Sequence, residues 1–158
     1  MRMKTHSEEF GTRGLSSVTE CLQADHARLD RFLADARQGV ACGAMPEARE
    51  HFDRFDRGLR RHIRLEEHIV FPVFEERTRN AGPVAVMNGE HQRIEVLLGA
   101  AAAALAAVDR ERFDAAAREL TGIIEVHNRK EERILYPKTD QALDAAERRA
   151  LAARFERS

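Results

Sequence analysis

The chain has 158 residues, 43% of them hydrophobic and 34% charged, which suits one domain around one core. Its 26 basic and 27 acidic side chains leave a net charge of −1, so it lacks the positive field with which proteins grip nucleic acid or an anionic membrane. No apolar run approaches the roughly 20 residues of a membrane span, residues 1–14 lack the apolar stretch of a signal peptide, and Cys21 and Cys42 show no CxxC spacing, which makes a reducing cytoplasm the expected location.

Residues 1–14 read as a flexible N-terminal arm and residues 15–158 as one helical domain. Ser17-Val18-Thr19-Glu20 has the form of a capping box, in which Ser17 accepts from a backbone amide and Glu20 reaches back. The helix it opens carries Val18, Leu22, Leu29, Phe32, Leu33 and Ala36 at helical spacing, and is expected to stop about Gln38 with Gly39 as its terminator. Pro46 suits the first turn of a second helix, which runs through Phe52, Phe55, Leu59, Ile69 and Val73 to about Thr78. Asn80-Ala81-Gly82-Pro83 breaks the chain. A third helix, about Val84 to Val108, carries Met87, Ile94, Leu98, Ala101 and Leu105. Asp109 can cap a fourth, bearing Phe113, Leu120, Ile123, Ile124 and Ile134. A short fifth, about 141–156, shows Leu143, Ala146, Leu151 and Phe155. Pro72 and Pro137 are expected to bend or end their helices. No stretch has the alternation of a strand, so the expected fold is all-α: an antiparallel up-down four-helix bundle with a short C-terminal fifth helix.

Shifted by 65 residues, the unusual side chains fall on one another. His26 meets His91, His62 meets His127, Glu66 meets Glu131, Glu67 meets Glu132, Phe71 meets Tyr136, and Pro72 meets Pro137. The run from His62 to Pro72 thus recurs from His127 to Pro137, and each run is preceded by a helix with one histidine, in Asp25-His26 and Glu90-His91. Two helical hairpins of one design can pack about a pseudo-twofold axis, where one site receives the same ligands twice.

A helix turns by roughly 100° per residue. On that wheel Glu66 lies about 40° from His62, within the apolar stripe of Phe55, Leu59, Ile69 and Val73, and Glu131 stands likewise beside His127. Two carboxylates therefore point into the core, where an unpaired charge is too costly to tolerate. No lysine or arginine on these helices sits at the same depth, which leaves a cation as the partner. Asp30 and Glu95, four residues beyond His26 and His91, fall off the core face and are expected in solvent or behind the ligands. The expected metal ligands are His26, His62, Glu66, His91, His127 and Glu131. Six ligands exceed one tetrahedral site, and two shared carboxylates serve two cations with a bridging oxo or hydroxo group and an open position. Nitrogen and oxygen donors without thiolate suit iron or manganese, with zinc left open.

The order His, His-xxx-Glu, His, His-xxx-Glu, each glutamate followed by Phe-Pro or Tyr-Pro, resembles the hemerythrin-like (HHE cation-binding) domain family over about residues 18–138. The resemblance implies a four-helix bundle around two non-haem iron ions, with Glu66 and Glu131 as bridges. It implies a small diatomic partner, O2 or NO, for sensing, storage or detoxification, and neither nucleic acid nor membrane. Alternatives are an enzyme turning over peroxide or NO at the same centre, and an iron-handling or iron-responsive module. Oxygen-carrying hemerythrins have a paired His-xxx-His on the third helix, whereas His91 is followed at that spacing by Glu95, which counts against simple oxygen carriage.

Other polar residues receive plainer expectations. His68 belongs on the flank of its helix, and His6 and His51 in solvent. Glu67 and Glu132 point away from the core and should make surface ion pairs, with Glu67 a secondary candidate for the site. Phe71 and Tyr136 should pack the bundle end; Tyr136, the only tyrosine, is also a candidate to hydrogen-bond a metal-bound ligand or to act in redox chemistry. The sequence has no Glu-x-x-His, HExxH, GxSxG or P-loop pattern.

Overall fold

The computed structural model describes residues 15–157, so the expectations for residues 1–14 and His6 lie outside the described residues. Among the described residues every regular element is helical. Helix α1 (Val18–Cys42) and α2 (Met45–Leu65) form the first hairpin; α2 passes through a π-helical turn, Glu66–Val70, into α3 (Phe71–Thr78). Helix α4 (Gly82–Ala106) and α5 (Arg110–Lys130) form the second; α5 passes through an equivalent π turn, Glu131–Leu135, into α6 (Tyr136–Gln141). Helix α7 (Ala145–Arg157) closes the described chain. Helix α1 packs on α2 and α4 on α5, and the hairpins meet where α1 touches α5 and α2 touches α4.

Local chemistry sets the ends. Ser17 Oγ accepts from the Glu20 amide, while the Glu20 carboxylate accepts from the Ser16 amide. Asp109 caps α5 by accepting from the Arg112 amide. Helix α1 runs four residues past the expected stop. Gly43, at φ 79°, supplies the left-handed terminator. Gly39 lies inside the helix for a different reason: a Cβ there would stand 2.9 Å from Ala48 Cβ, so its lack of a side chain lets α1 and α2 approach closely.

Neither Pro72 nor Pro137 ends its helix. A π turn stands before each, with the Phe71 amide donating to the Glu66 carbonyl and the Tyr136 amide to the Glu131 carbonyl. The wider turn absorbs the proline, which brings no donor of its own. It also re-phases the side chains that follow, and Tyr136 is fully buried. Ile134, expected in the core, is 48% exposed, whereas Ile69 at the same place in the first π turn is buried.

The apolar interior falls into two clusters. One gathers Leu29, Leu33, Phe52, Phe55, Leu98, Phe113 and Leu120. The other gathers Val18, Leu22, Leu65, Phe71, Phe74, Met87, Tyr136, Leu151 and Phe155. On α1, α4 and α5 the buried histidine falls between these two sets in sequence, and on α2 His62 sits at their boundary beside Ile63, the last residue of the first set there, so a polar layer divides the core. Among the described residues no helix is long and apolar enough to cross a membrane.

The Gly39 contact predicts that Gly39→Leu forces α1 and α2 apart and destabilises the fold by about 1–3 kcal/mol, measurable as a lowered midpoint in urea unfolding.

Candidate metal centre

The polar layer consists of His26, His62, Glu66, His91, His127 and Glu131, none more than 4% exposed. Their ligating atoms converge in two groups, His26, His62 and Glu131 in one and Glu66, His91, His127 and Glu131 in the other, with all atoms of a group within 4.8 Å of one another. Each glutamate faces one histidine of each hairpin. Glu66 Oε1 lies 3.5 Å from His62 Nε2 and its Oε2 lies 3.2 Å from His91 Nε2. Glu131 Oε2 lies 3.5 Å from His26 Nε2 and its Oε1 lies 3.0 Å from His127 Nε2. The structure thus brings all six expected residues together.

Behind every imidazole stands a carboxylate. His26 Nδ1 is 2.7 Å from Glu132, His62 Nδ1 2.9 Å from Asp25, His91 Nδ1 2.9 Å from Glu67, and His127 Nδ1 2.8 Å from Glu90. Glu67 and Glu132 therefore do not make the surface pairs expected of them. Their place on the wheel of α2 or α5 is peripheral, but that periphery abuts α4 or α1, where the other hairpin's histidine waits. Asp25 and Glu90 were not singled out as site residues; the signal was the acid that precedes the histidine in both repeats. Asp25 is paired with Arg28 at 2.7 Å, and Glu90 with Lys130.

The residues fit bound cations on four counts. A carboxylate at each Nδ1 holds the proton there and turns the Nε2 lone pair inward. Those Nε2 atoms face each other at 3.0 Å in His26–His62 and 3.2 Å in His91–His127; two nitrogens about 2.1 Å from one ion at right angles stand about 3 Å apart. Buried Glu66 Oε2 and Glu131 Oε1 have no hydrogen-bond donor. Of the six carboxylates, Arg28 and Lys130 neutralise two, and the four that remain match two divalent ions.

Without metal, protons take the cations' place. Burial works to lower the pKa of His127, but Glu131, Glu66 and Glu90 outweigh it and push it up to about 9. Burial likewise works to lower the pKa of His62, but Glu66 and Asp25 overcome that and raise it well above its ordinary value. Burial would raise Glu66, yet His62 and His91 hold it well below the carboxylate range.

Tyr136 was expected to pack the bundle end, with hydrogen bonding at the site as its second candidacy; its hydroxyl reaches the centre itself. The hydroxyl donates to Glu66 Oε1 at 2.5 Å and stands 3.0 Å from Glu131 Oε2. Burial first, then Glu131 and Glu66, keeps its pKa well above the phenol range. Its repeat partner Phe71 stacks on the His91 ring, centroids 5.6 Å apart. Asp30 is exposed, and Glu95 pairs with Arg60 away from the centre. His68 is exposed, and half-buried His51 lies 3.9 Å from Asp35.

The model of the hemerythrin HHE cation binding domain matches residues 17–139. The chain belongs to this family. HHE domains bind metal cations, and the buried histidine-glutamate layer is where this chain could do so. Uncharacterized proteins of Mycobacterium tuberculosis and Mycobacterium bovis are each 30% identical to it over 155 residues, covering 89% of this chain and 60% of their own length. The chain therefore spans well under two thirds of these relatives. No solved structure matches it.

Two outcomes are expected. Glu132→Gln and Asp25→Asn should fold yet bind metal about 10–100-fold more weakly, read from competition with a chelator. The metal-free protein should be more stable at pH 6.5 than at pH 9. His127 holds its proton up to about 9 when folded and only to about 6.5 when unfolded, so the stability that proton confers is complete below the lower value and lost towards the higher. Metal affinity should change in the opposite sense, rising with pH as cations displace protons; melts and metal titrations across that range check both.

Proposed function

We propose that this chain is a non-haem di-iron protein that binds O2 or NO at a His4Glu2 centre, for sensing, storage or detoxification. The carrying observation is that each buried glutamate faces one histidine from each hairpin. In this reading His26 and His62 hold one ion, His91 and His127 the other, and Glu66 and Glu131 bridge them, inside an antiparallel up-down bundle formed by α1, α2–α3, α4 and α5–α6. The all-nitrogen-and-oxygen donor set favours iron, and manganese or zinc would accept it too. The ferrous pair, when bound, supplies the electrons and a coordination position for a diatomic gas.

The chain's own residues do the rest. Asp25, Glu67, Glu90 and Glu132 fix each imidazole's tautomer and tilt, and make it a stronger donor. The apolar clusters on either side keep bulk water away. Cys21 and Cys42 are not joined in a disulfide, which suits a reducing cytoplasm. Tyr136 favours a second reading, turnover of peroxide or NO, because a phenol within hydrogen-bond reach of both bridging carboxylates can give up a proton or an electron there.

The purified protein should hold two iron ions per chain with the Mössbauer signature of a bridged pair. Reduction under anaerobic conditions, followed by air or NO, should change the optical spectrum. A spectrum indifferent to both gases overturns gas binding. Peroxide consumption that Tyr136→Phe abolishes, with iron retained, would select the enzyme reading.

Glu66→Ala or Glu131→Ala should lose iron and thermal stability together, because four buried imidazoles then face one another without their cations; metal analysis and a melting curve of each variant test this.

A further inference from the structure

The two halves of the centre are related by the 65-residue repeat, yet they are closed differently. In the half built by His26 and His62, the Tyr136 hydroxyl stands 3.3 Å from His26 Nε2 and 3.4 Å from His62 Nε2, besides its contacts to both glutamates. It fills the corner those four groups enclose. The half built by His91 and His127 has a phenyl ring at the equivalent position, stacked flat on His91 and bringing no polar atom. The two donor-less carboxylate oxygens, Glu66 Oε2 and Glu131 Oε1, are those that face His91 and His127. Glu95, one turn beyond His91 where a further ligand would stand, is drawn outward by Arg60.

The outer surface repeats the asymmetry. A groove of about 630 Å³ between α2–α3 and α4 is lined by Glu67, Phe71, Asn88, Gln92 and His91 itself. Its counterpart between α1 and α5, about 500 Å³, reaches Asp30, Asn128 and Glu132 but none of the six ligands. Asn88 Oδ1, buried in the first groove, has no hydrogen-bond partner and is available to a polar visitor, whereas the repeat places exposed Gln23 at the equivalent position.

Resting on the iron-pair reading, we propose that exogenous ligands of two or three atoms bind on the His91–His127 side, arrive through the groove between α2–α3 and α4, and are kept from the His26–His62 side by Tyr136. The Tyr136 hydroxyl, within 3.4 Å of His26, His62 and both glutamates, leaves that side no room for a further ligand. The other side has a phenyl ring in place of the phenol and borders the groove that reaches His91.

Azide tests this with the iron-loaded full chain, by stopped-flow absorbance and by titration. Gln92→Trp narrows the ligand-side groove at an exposed position and should slow azide association about tenfold, while Asn128→Trp in the opposite groove should change the rate by less than about twofold. Unmodified protein should take one azide per iron pair and Tyr136→Phe two. Equal slowing by both tryptophans, no slowing by Gln92→Trp, one azide in Tyr136→Phe with its iron retained, or an iron pair that ignores azide overturns the inference. A purified chain without an iron pair, found by metal analysis before any azide is added, overturns the underlying reading instead. Neither groove variant replaces a ligand or one of the carboxylates behind the imidazoles, so the test survives if Tyr136→Phe folds poorly.

Discussion

Two carboxylates with no exposed surface, set among four imidazoles, are the constraint around which this fold is arranged. Moving an ionised carboxylate from water into an apolar interior costs several kcal/mol even after relaxation. The chain does not avoid that cost; it spreads it. Each oxygen of Glu66 and Glu131 is given to a different imidazole, and each imidazole is braced from behind by another acid. Such a layer is tolerable when positive charge sits in its middle, whether metal ions or the protons that replace them. The apolar clusters on either side raise the stakes, because a low dielectric strengthens each attraction and each mismatch alike.

Repetition explains the economy of the design. One hairpin, used twice, supplies every ligand and every brace in duplicate, and the braces cross over: Glu67 on the first hairpin holds His91 of the second, and Glu132 on the second holds His26 of the first. The hairpins are thereby tied through the polar layer as well as through the core. Within the polar layer the symmetry is broken where Phe71 and Tyr136 differ by a hydroxyl. That single oxygen gives one half of the layer a proton donor that the other half lacks.

The ligand set was legible because chemistry and periodicity agreed: histidines and glutamates at one spacing, recurring at one offset, on the apolar face. The braces were less legible. A wheel ranks residues against their own helix's core, and Glu67 and Glu132 act across a helix–helix seam that no single wheel contains. Tyr136 was a candidate from its chemistry alone, because the wheel misplaces it. Counting 100° per residue beyond Glu131 turns the tyrosine away, but the π turn adds a residue and carries it inward. Gly39 shows the same limit at the other end of the scale, since a glycine late in a helix reads as a terminator when its close neighbour, Ala48, is not known.

The division of the core has a dynamic consequence. The cluster around Phe55 draws side chains from α1, α2, α4 and α5, and the cluster around Phe71 draws on α1, α2, α3, α4, α6 and α7. Each end of the molecule is therefore fastened independently of the layer between. Local opening can be confined to the middle of the chain while both ends stay shut. A scaffold fastened in this way can fill and empty without coming apart, as a clasp with two hinges opens only at its waist.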